Sequence, residues 1–155
     1  MNLKSTSYFV STNPPNKPLT PDGESSLEVG IPVEYNANAL DPDGDKIRYI
    51  FEFSDGTTKT SDFVESGTNG SVEKTWMKKG TFEVKVKARD KWGGESDFSD
   101  VLTVDVLNDA PEKPDMPDGP MSGRIKRKSY TYDTSTIDPN GHRVRFIFDW
   151  GDGTD

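Results

Sequence analysis

The stretch Lys46–Thr57 reads KIRYIFEFSDGT and Arg143–Thr154 reads RVRFIFDWGDGT, the same order of apolar, charged and turn residues at an offset of 97. Six of the twelve positions are identical and five more exchange like for like. Self-similarity at a fixed period marks tandem copies of one structural unit. The match extends upstream, with Asp41-Pro42-Asp43-Gly44 against Asp138-Pro139-Asn140-Gly141, Tyr35 against Tyr132, and Pro15–Pro18 against Pro111–Pro114. The chain reads as an array of domains.

Within the repeated stretch Ile47, Tyr49, Phe51 and Phe53 alternate with Lys46, Arg48, Ile50 and Glu52, the period of a strand with one buried face. Ser54-Asp55-Gly56-Thr57 stops the strand, because Asp bonds its own backbone and Gly accepts positive φ. Working upstream, Val33, Tyr35, Ala37 and Ala39 alternate with Glu34, Asn36 and Asn38 as a second half-buried strand, and Ser26–Val29 is a weaker one. Residues 13 to 22 carry four prolines and read as an extended linker.

Downstream, Thr58–Val64 is polar enough for an edge strand, and Gly67-Thr68-Asn69-Gly70 predicts a tight hairpin, since Asn-Gly suits a two-residue turn. Val72 and Trp76 mark the next strand. Phe82, Val84, Val86 and Ala88 form the cleanest amphipathic one. A polar loop over Asp90–Asp97 leads to a closing strand at Val101–Val106. No helical period appears, and seven or so short strands with frequent turns predict an all-β, two-sheet sandwich. Its expected core is Phe51, Phe53, Trp76, Phe82, Val84 and Val86.

The repeat sets the expected boundaries. Residues 13–107 make a complete domain, 108–155 the N-terminal half of a second, and 1–12 the last strand of a preceding copy, carried by Ser7–Ser11. A half-sandwich exposes an apolar face and an unpaired edge. Strand exchange is then one expected route to self-assembly: Ser7–Ser11 of one chain adds to the open edge of the next. A segment of a longer array is the other reading of the same ends.

Composition excludes several function classes. The 155 residues include no cysteine, so disulfides, thiolate metal sites and a Cys nucleophile are absent. A formal net charge of −8 argues against nucleic acid as a general partner. The basic run Arg124, Lys126, Arg127 and Lys128 is the local exception, readable as a polyanion contact or as a solvated strand edge. No window approaches the roughly 18 apolar residues a membrane span needs, and Met1–Val10 lacks the apolar region of a signal peptide.

With these residues in view the chain resembles the polycystic-kidney-disease (PKD) repeat. FEFSDGT and FDWGDGT look like that family's W-D-F-G-D-G motif, preceded in the first copy by the turn DPDGD. KTWMKKGTFEVKVKARDKWG is similar to its H-T-Y, G-T-Y-x-V and D-x-x-G run. Ser54 stands for the motif's Gly, and Lys74 where a His is common. The resemblance implies an immunoglobulin-like β-sandwich and an extracellular, noncatalytic module. Such modules occur in cell-surface and S-layer-type proteins and beside the catalytic domains of secreted hydrolases. It implies no particular ligand.

One constellation could hold a metal. Asp41, Asp43 and Asp45 crowd three carboxylates onto one turn, at a Coulomb cost that a cation offsets, and hard oxygen ligands suit Ca²⁺. An EF-hand fails on geometry: Gly44 is fourth from Asp41 rather than sixth, and Glu52, at the twelfth position, lies about 20 Å up the strand from Asp45. In an immunoglobulin-like sandwich this loop shares a pole with the loop before the last strand and with the incoming linker. That adds Asp90 and Asn16, and the resemblance implies calcium at the same pole. The competing reading is a bare turn closed by Asx bonds.

His142 is the only histidine, so no Ser-His-Asp set exists within the first copy. Trp92, beside Gly93-Gly94, is read either as a lid over the sandwich end or as a sugar platform. Asn69-Gly70-Ser71 has the pattern of a glycosylation acceptor. The expected function is a structural or adhesive surface module, whose partners are neighbouring copies or other surface proteins. The alternative is a substrate-binding accessory module of a secreted hydrolase.

Overall fold

The structure, a computed structural model, describes residues 12–122, 129–151 and 153. The strand expected at Ser7–Ser11 and the basic run from Arg124 to Lys128 lie outside the described residues. The chain divides into two compact units, which meet in sequence at Leu107 and Asn108.

Unit 1 holds seven strands: β1 Ser26–Glu28, β2 Pro32–Ala37, β3 Ile47–Phe53, β4 Thr58–Thr60, β5 Gly70–Thr75, β6 Gly80–Asp90 and β7 Leu102–Leu107. They form a five-stranded sheet in the order β1-β7-β6-β3-β4 and a two-stranded sheet of β2 and β5. Every pairing is antiparallel except β1 with β7, which run parallel. The all-β sandwich expected from the alternation is the observed fold.

The repeated strand sits centrally in its sheet. β3 alternates buried and half-buried along its whole length, with β6 on one edge in the register Ile47–Asp90 to Phe53–Val84 and β4 on the other. Its inward side chains meet β2 and β5 across a core that includes Tyr35, Val72, Trp76, Val84, Val86 and Val104. Five of the six expected core residues are buried, whereas Phe82 is only partly so. It is the third residue of β6 and stacks on Trp76 at 4.4 Å, while Phe53 meets Trp76 edge-on at 5.6 Å.

Both buried tyrosines carry their hydroxyls to partners, as burial requires. Tyr35 Oη donates to Glu24 O and accepts from Trp76 Nε1. Tyr49 Oη accepts from Ala39 N and donates to Thr68 O. Burial pushes both phenol pKa values up.

The expected hairpin at Gly67–Gly70 is not formed. β4 and β5 belong to different sheets, so this segment carries the chain across the sandwich. Gly67 does adopt positive φ, but Gly70 opens β5, where an added Cβ would strike the Tyr49 ring. Gly70 is there for close approach, a demand that local sequence does not distinguish from a turn.

In unit 2 the strand expected over Arg143–Thr154 forms no ladder among the described residues. Val144, Phe146 and Phe148 are half-buried and Arg143, Arg145, Ile147 and Asp149 exposed, so the alternation survives without a partner strand. The bridge in this unit joins Asp118 to Asp133. Its incoming segment nevertheless repeats unit 1 bond for bond. Asp22 N to Asn36 O recurs as Asp118 N to Asp133 O, Leu19 N to Asn38 O as Asp115 N to Ser135 O, and Asn16 N to Leu40 O as Glu112 N to Ile137 O.

Candidate functional site

Three segments of unit 1 converge at one pole: the linker from Asn13, the β2–β3 loop and the turn after β6. Asn13 donates from its backbone N to Asp43 Oδ2 at 2.6 Å and from Nδ2 to the same carboxylate. Trp92 Nε1 donates to Asp45 Oδ2 at 2.8 Å, and Lys91 Nζ sits 2.8 Å from Asp45 Oδ1. A Cβ added at Gly94 would lie 2.5 Å from Asp90 Oδ2 and 3.2 Å from Pro14 Cα, so a glycine is what lets this turn close onto the linker.

The four aspartates divide into two kinds. Asp41 and Asp90 are 6% and 2% exposed. Asp41 Oδ1 accepts from Asp43 N and Asp45 N, and Asp90 Oδ1 accepts from Trp92 N and Gly94 N. In both, the second oxygen Oδ2 is buried with no hydrogen-bond partner. Such an orphan acceptor is costly in a low-dielectric interior. Asp43, by contrast, is exposed and Asp45 half-buried, and protein donors hold both. The hydrogen bond from Lys91, helped by Trp92, holds the Asp45 carboxyl below its ordinary range.

Of the five residues that sequence reasoning assigned to a cation, Asp41 and Asp90 therefore retain free, buried oxygen, while Asp43 and Asp45 are engaged. Asn16 is exposed and uses its backbone N on Leu40 O. Among the described residues no group of three or more His, Cys, Asp or Glu side chains is brought to metal-holding geometry. The Asx bonds of the bare-turn reading are present. Asp41 Oδ2 and Asp90 Oδ2 are the carboxylate oxygens of this pole left buried with no hydrogen-bond donor among the described residues.

Sequence reasoning missed Asn13 and Lys91, which with Trp92 engage Asp43 and Asp45. Lys91 follows Asp90 directly, so charge complementarity to the DPDGD turn was its available signal; Asn13 carried none. Trp92 is no lid: it is 63% exposed, with Lys91 Nζ 5.1 Å from the ring centroid. In unit 2 Asp138 Oδ1 accepts from Asn140 N and His142 N, and Asp109 N donates to Asn140 Oδ1. That is the same cradle, with Asn140 and His142 in place of Asp43 and Asp45. His142 Nδ1 lies 3.5 Å from Asp138 Oδ1, an accessory to the turn.

At the opposite end of β3, the turn Ser54–Thr57 is held from below. Lys74, 5% exposed, donates to the Asp55 carboxylate and to Thr57 Oγ1 at 2.7 Å.

The PKD domain family matches residues 14–106. The chain belongs to the PKD domain family. Among solved structures, the PKD domain of an M14-like peptidase from the Thermoplasmatales archaeon SCGC AB-540-F20 is 33% identical over 62% of this chain and 98% of its own, with a TM-score of 0.54. The CARDB domain of a Pyrococcus furiosus protein, in complex with di-metal ions, is 14% identical over 69% of this chain and 100% of its own, with a TM-score of 0.43. PKD domains are in general noncatalytic extracellular modules. Among the described residues no helix is long and apolar enough to cross a membrane.

Proposed function

We propose that this chain is a noncatalytic, extracellular spacer of a cell-surface protein, built to carry tension along an array of PKD domains. The observation that carries this reading is the parallel pairing of β1 with β7. These strands stand at the two ends of unit 1, in the register Ser26–Asp105, Leu27–Val106 and Glu28–Leu107. Asp105 N to Ser25 O and Val29 N to Leu107 O extend the contact. Because the pair is parallel, pulling the chain ends apart loads these bonds together in shear rather than one after another. The linker ahead of β1 is itself tied along β2 at Asn16, Leu19 and Asp22. Residues 108–155 are read as the N-terminal half of a second domain, and the partners as neighbouring copies or other surface proteins.

Single-molecule extension of residues 12–107 between their ends tests this. The expected result is one cooperative high-force rupture, lowered in Val29→Pro, which deletes the N–H bonded to Leu107 O. Unfolding at equal force in both proteins would remove the clamp and the reading with it.

Calcium is the proposed stiffener of the pole, held by Asp41 Oδ2 and Asp90 Oδ2, whose missing partners support it. A bound ion stabilises the folded state by mass action. The melting temperature is therefore expected to rise in millimolar calcium relative to chelator, and Asp90→Asn is expected to abolish the rise. Equal melting temperatures would leave only the bare turn.

The similarity to a peptidase-associated PKD domain favours a second reading, an accessory module that binds the substrate of a secreted hydrolase through exposed Trp92. Retention of the chain on insoluble protein or polysaccharide, lost in Trp92→Ala, would favour it over the spacer.

A further inference from the structure

The outward face of the β3–β6 ladder carries three cross-strand pairs: Glu52 with Lys85, Ile50 with Lys87, and Arg48 with Arg89. The first is a matched ion pair at 3.2 Å. In the second, Lys87 reaches sideways to Glu95 at 2.7 Å. The third sets two guanidinium groups directly opposite each other, an arrangement that is destabilising unless something compensates it.

Compensation within the protein is thin. Glu95 already holds Lys87 and approaches Arg89 Nε only to 3.9 Å. The Arg48 side chain makes no hydrogen bond to any described residue. Its Nε is buried without a partner, and its guanidinium lies over the Phe63 ring, 5.0 Å from the centroid. The cations at this point are Arg48, Lys87 and Arg89, and Glu95 is the carboxylate that Lys87 and Arg89 face. The hydrogen bond from Lys87, with the charges of Lys87, Arg89 and Arg48, depresses the Glu95 pKa, so Glu95 is ionised at neutral pH and the local excess is still cationic. This stands out in a chain of net charge −8. The position of Arg48 is again Arg in the second repeat, at Arg145.

We propose that the Arg48–Arg89 pair is a carboxylate-binding site for an acidic peptide segment lying extended along the outer face of β3 and β6. A planar carboxylate matches the fork of a guanidinium, and Phe63 fixes the plane of Arg48. The peptide is preferred to other polyanions on spacing. Lys85, Lys87 and Arg89 project from one face of β6 at alternate positions, about 6.6 Å apart, and an extended peptide with acidic residues at alternate positions repeats at the same distance. Phe98 holds the Lys85 and Lys87 stems, with their Nζ atoms at 4.1 and 5.2 Å from its centroid.

The spacer reading needs no such ligand, so this site stands or falls separately. The experiment titrates a peptide of alternating glutamate and threonine into the isotope-labelled full chain at low ionic strength, with oligogalacturonate in parallel. Expected are amide shifts confined to Arg48, Ile50, Lys87, Arg89 and their neighbours, weakening as salt is added. Arg48→Gln and Arg89→Gln should each weaken binding roughly tenfold or more. Lys17→Gln, a surface cation paired with Asp100 elsewhere on the unit, should leave it unchanged. The wild-type shift map needs no variant to fold. Absence of shifts at Arg48 and Arg89, an Arg48→Gln titration like wild type, or binding of the uronate but not the peptide would each overturn the proposal.

Discussion

Lys74 reaches inward from β5 to the underside of the Ser54–Thr57 turn, where its ammonium meets Asp55 and Thr57, with the Phe53 and Trp76 ring centroids at 4.9 and 4.8 Å. The turn itself was legible, because Asp55 accepts from Thr57 N as an Asx turn requires. The support was not, since a lysine at an inward strand position contradicts the binary pattern, and only the likeness to a family that often has His there marked it. Burial pushes the Asp55 carboxyl up, but the hydrogen bonds from Lys74 and Thr57 outweigh it and leave the pKa below the ordinary 3.8. A carboxyl depressed by folding contributes stability that is present above its unfolded value and lost as pH falls through the folded one. The stability difference between wild type and Lys74→Met, read as urea midpoints, is therefore expected to be largest at neutral pH and to shrink in acid below the Asp55 pKa. A difference independent of pH would mean that Lys74 acts by packing alone.

At the scale of elements, β2, β3 and β6 announce themselves through alternation, whereas β4 and β5 do so only in part. The path from β4 to β5 is where pattern reading failed, because Asn69-Gly70 carries a strong local hairpin preference and the sheet assignment is decided elsewhere, by what packs on Tyr49. That ring is fixed at its hydroxyl by Ala39 and Thr68 and so cannot swing away. A methyl at Gly70 would meet it, and also Ser61 Oγ at 2.9 Å. Gly70→Ala is expected to lower unfolding stability by roughly 1–3 kcal/mol through overpacking, measured by urea denaturation. A loss within about 0.5 kcal/mol, the range of ordinary surface changes, would show that β5 shifts to accommodate it. The pole was legible in the same uneven way. Loop order placed the Asp41–Asp45 turn beside Asp90, but which carboxylates keep a free oxygen depends on Asn13, Lys91 and backbone donors that no spacing rule locates.

Across the whole molecule, one strand sequence meets two environments. In unit 1 Ile47, Tyr49 and Phe51 are fully buried between their neighbours. Their counterparts Val144, Phe146 and Phe148 are half-buried, and the last two line a groove of about 790 Å³ together with Pro114, Met116 and Ile147. Aromatic clustering closes it only in part, with Trp150 stacked on Phe148 at 5.7 Å and tilted against Tyr132 at 5.3 Å. Ile137, Ile147 and Trp150 remain exposed. Apolar surface of this kind beside a segment that forms no ladder among the described residues favours association. The full chain is therefore expected to self-associate with rising concentration in sedimentation velocity, and residues 1–107 alone to stay monomeric. Two geometries would produce this, pairing between open unit 2 faces or donation of Ser7–Ser11 from one chain to the next. A third chain, lacking residues 1–12, separates them: association that persists places the contact between the faces, and association that disappears assigns it to the donated strand. A full chain that remains monomeric throughout would overturn both geometries.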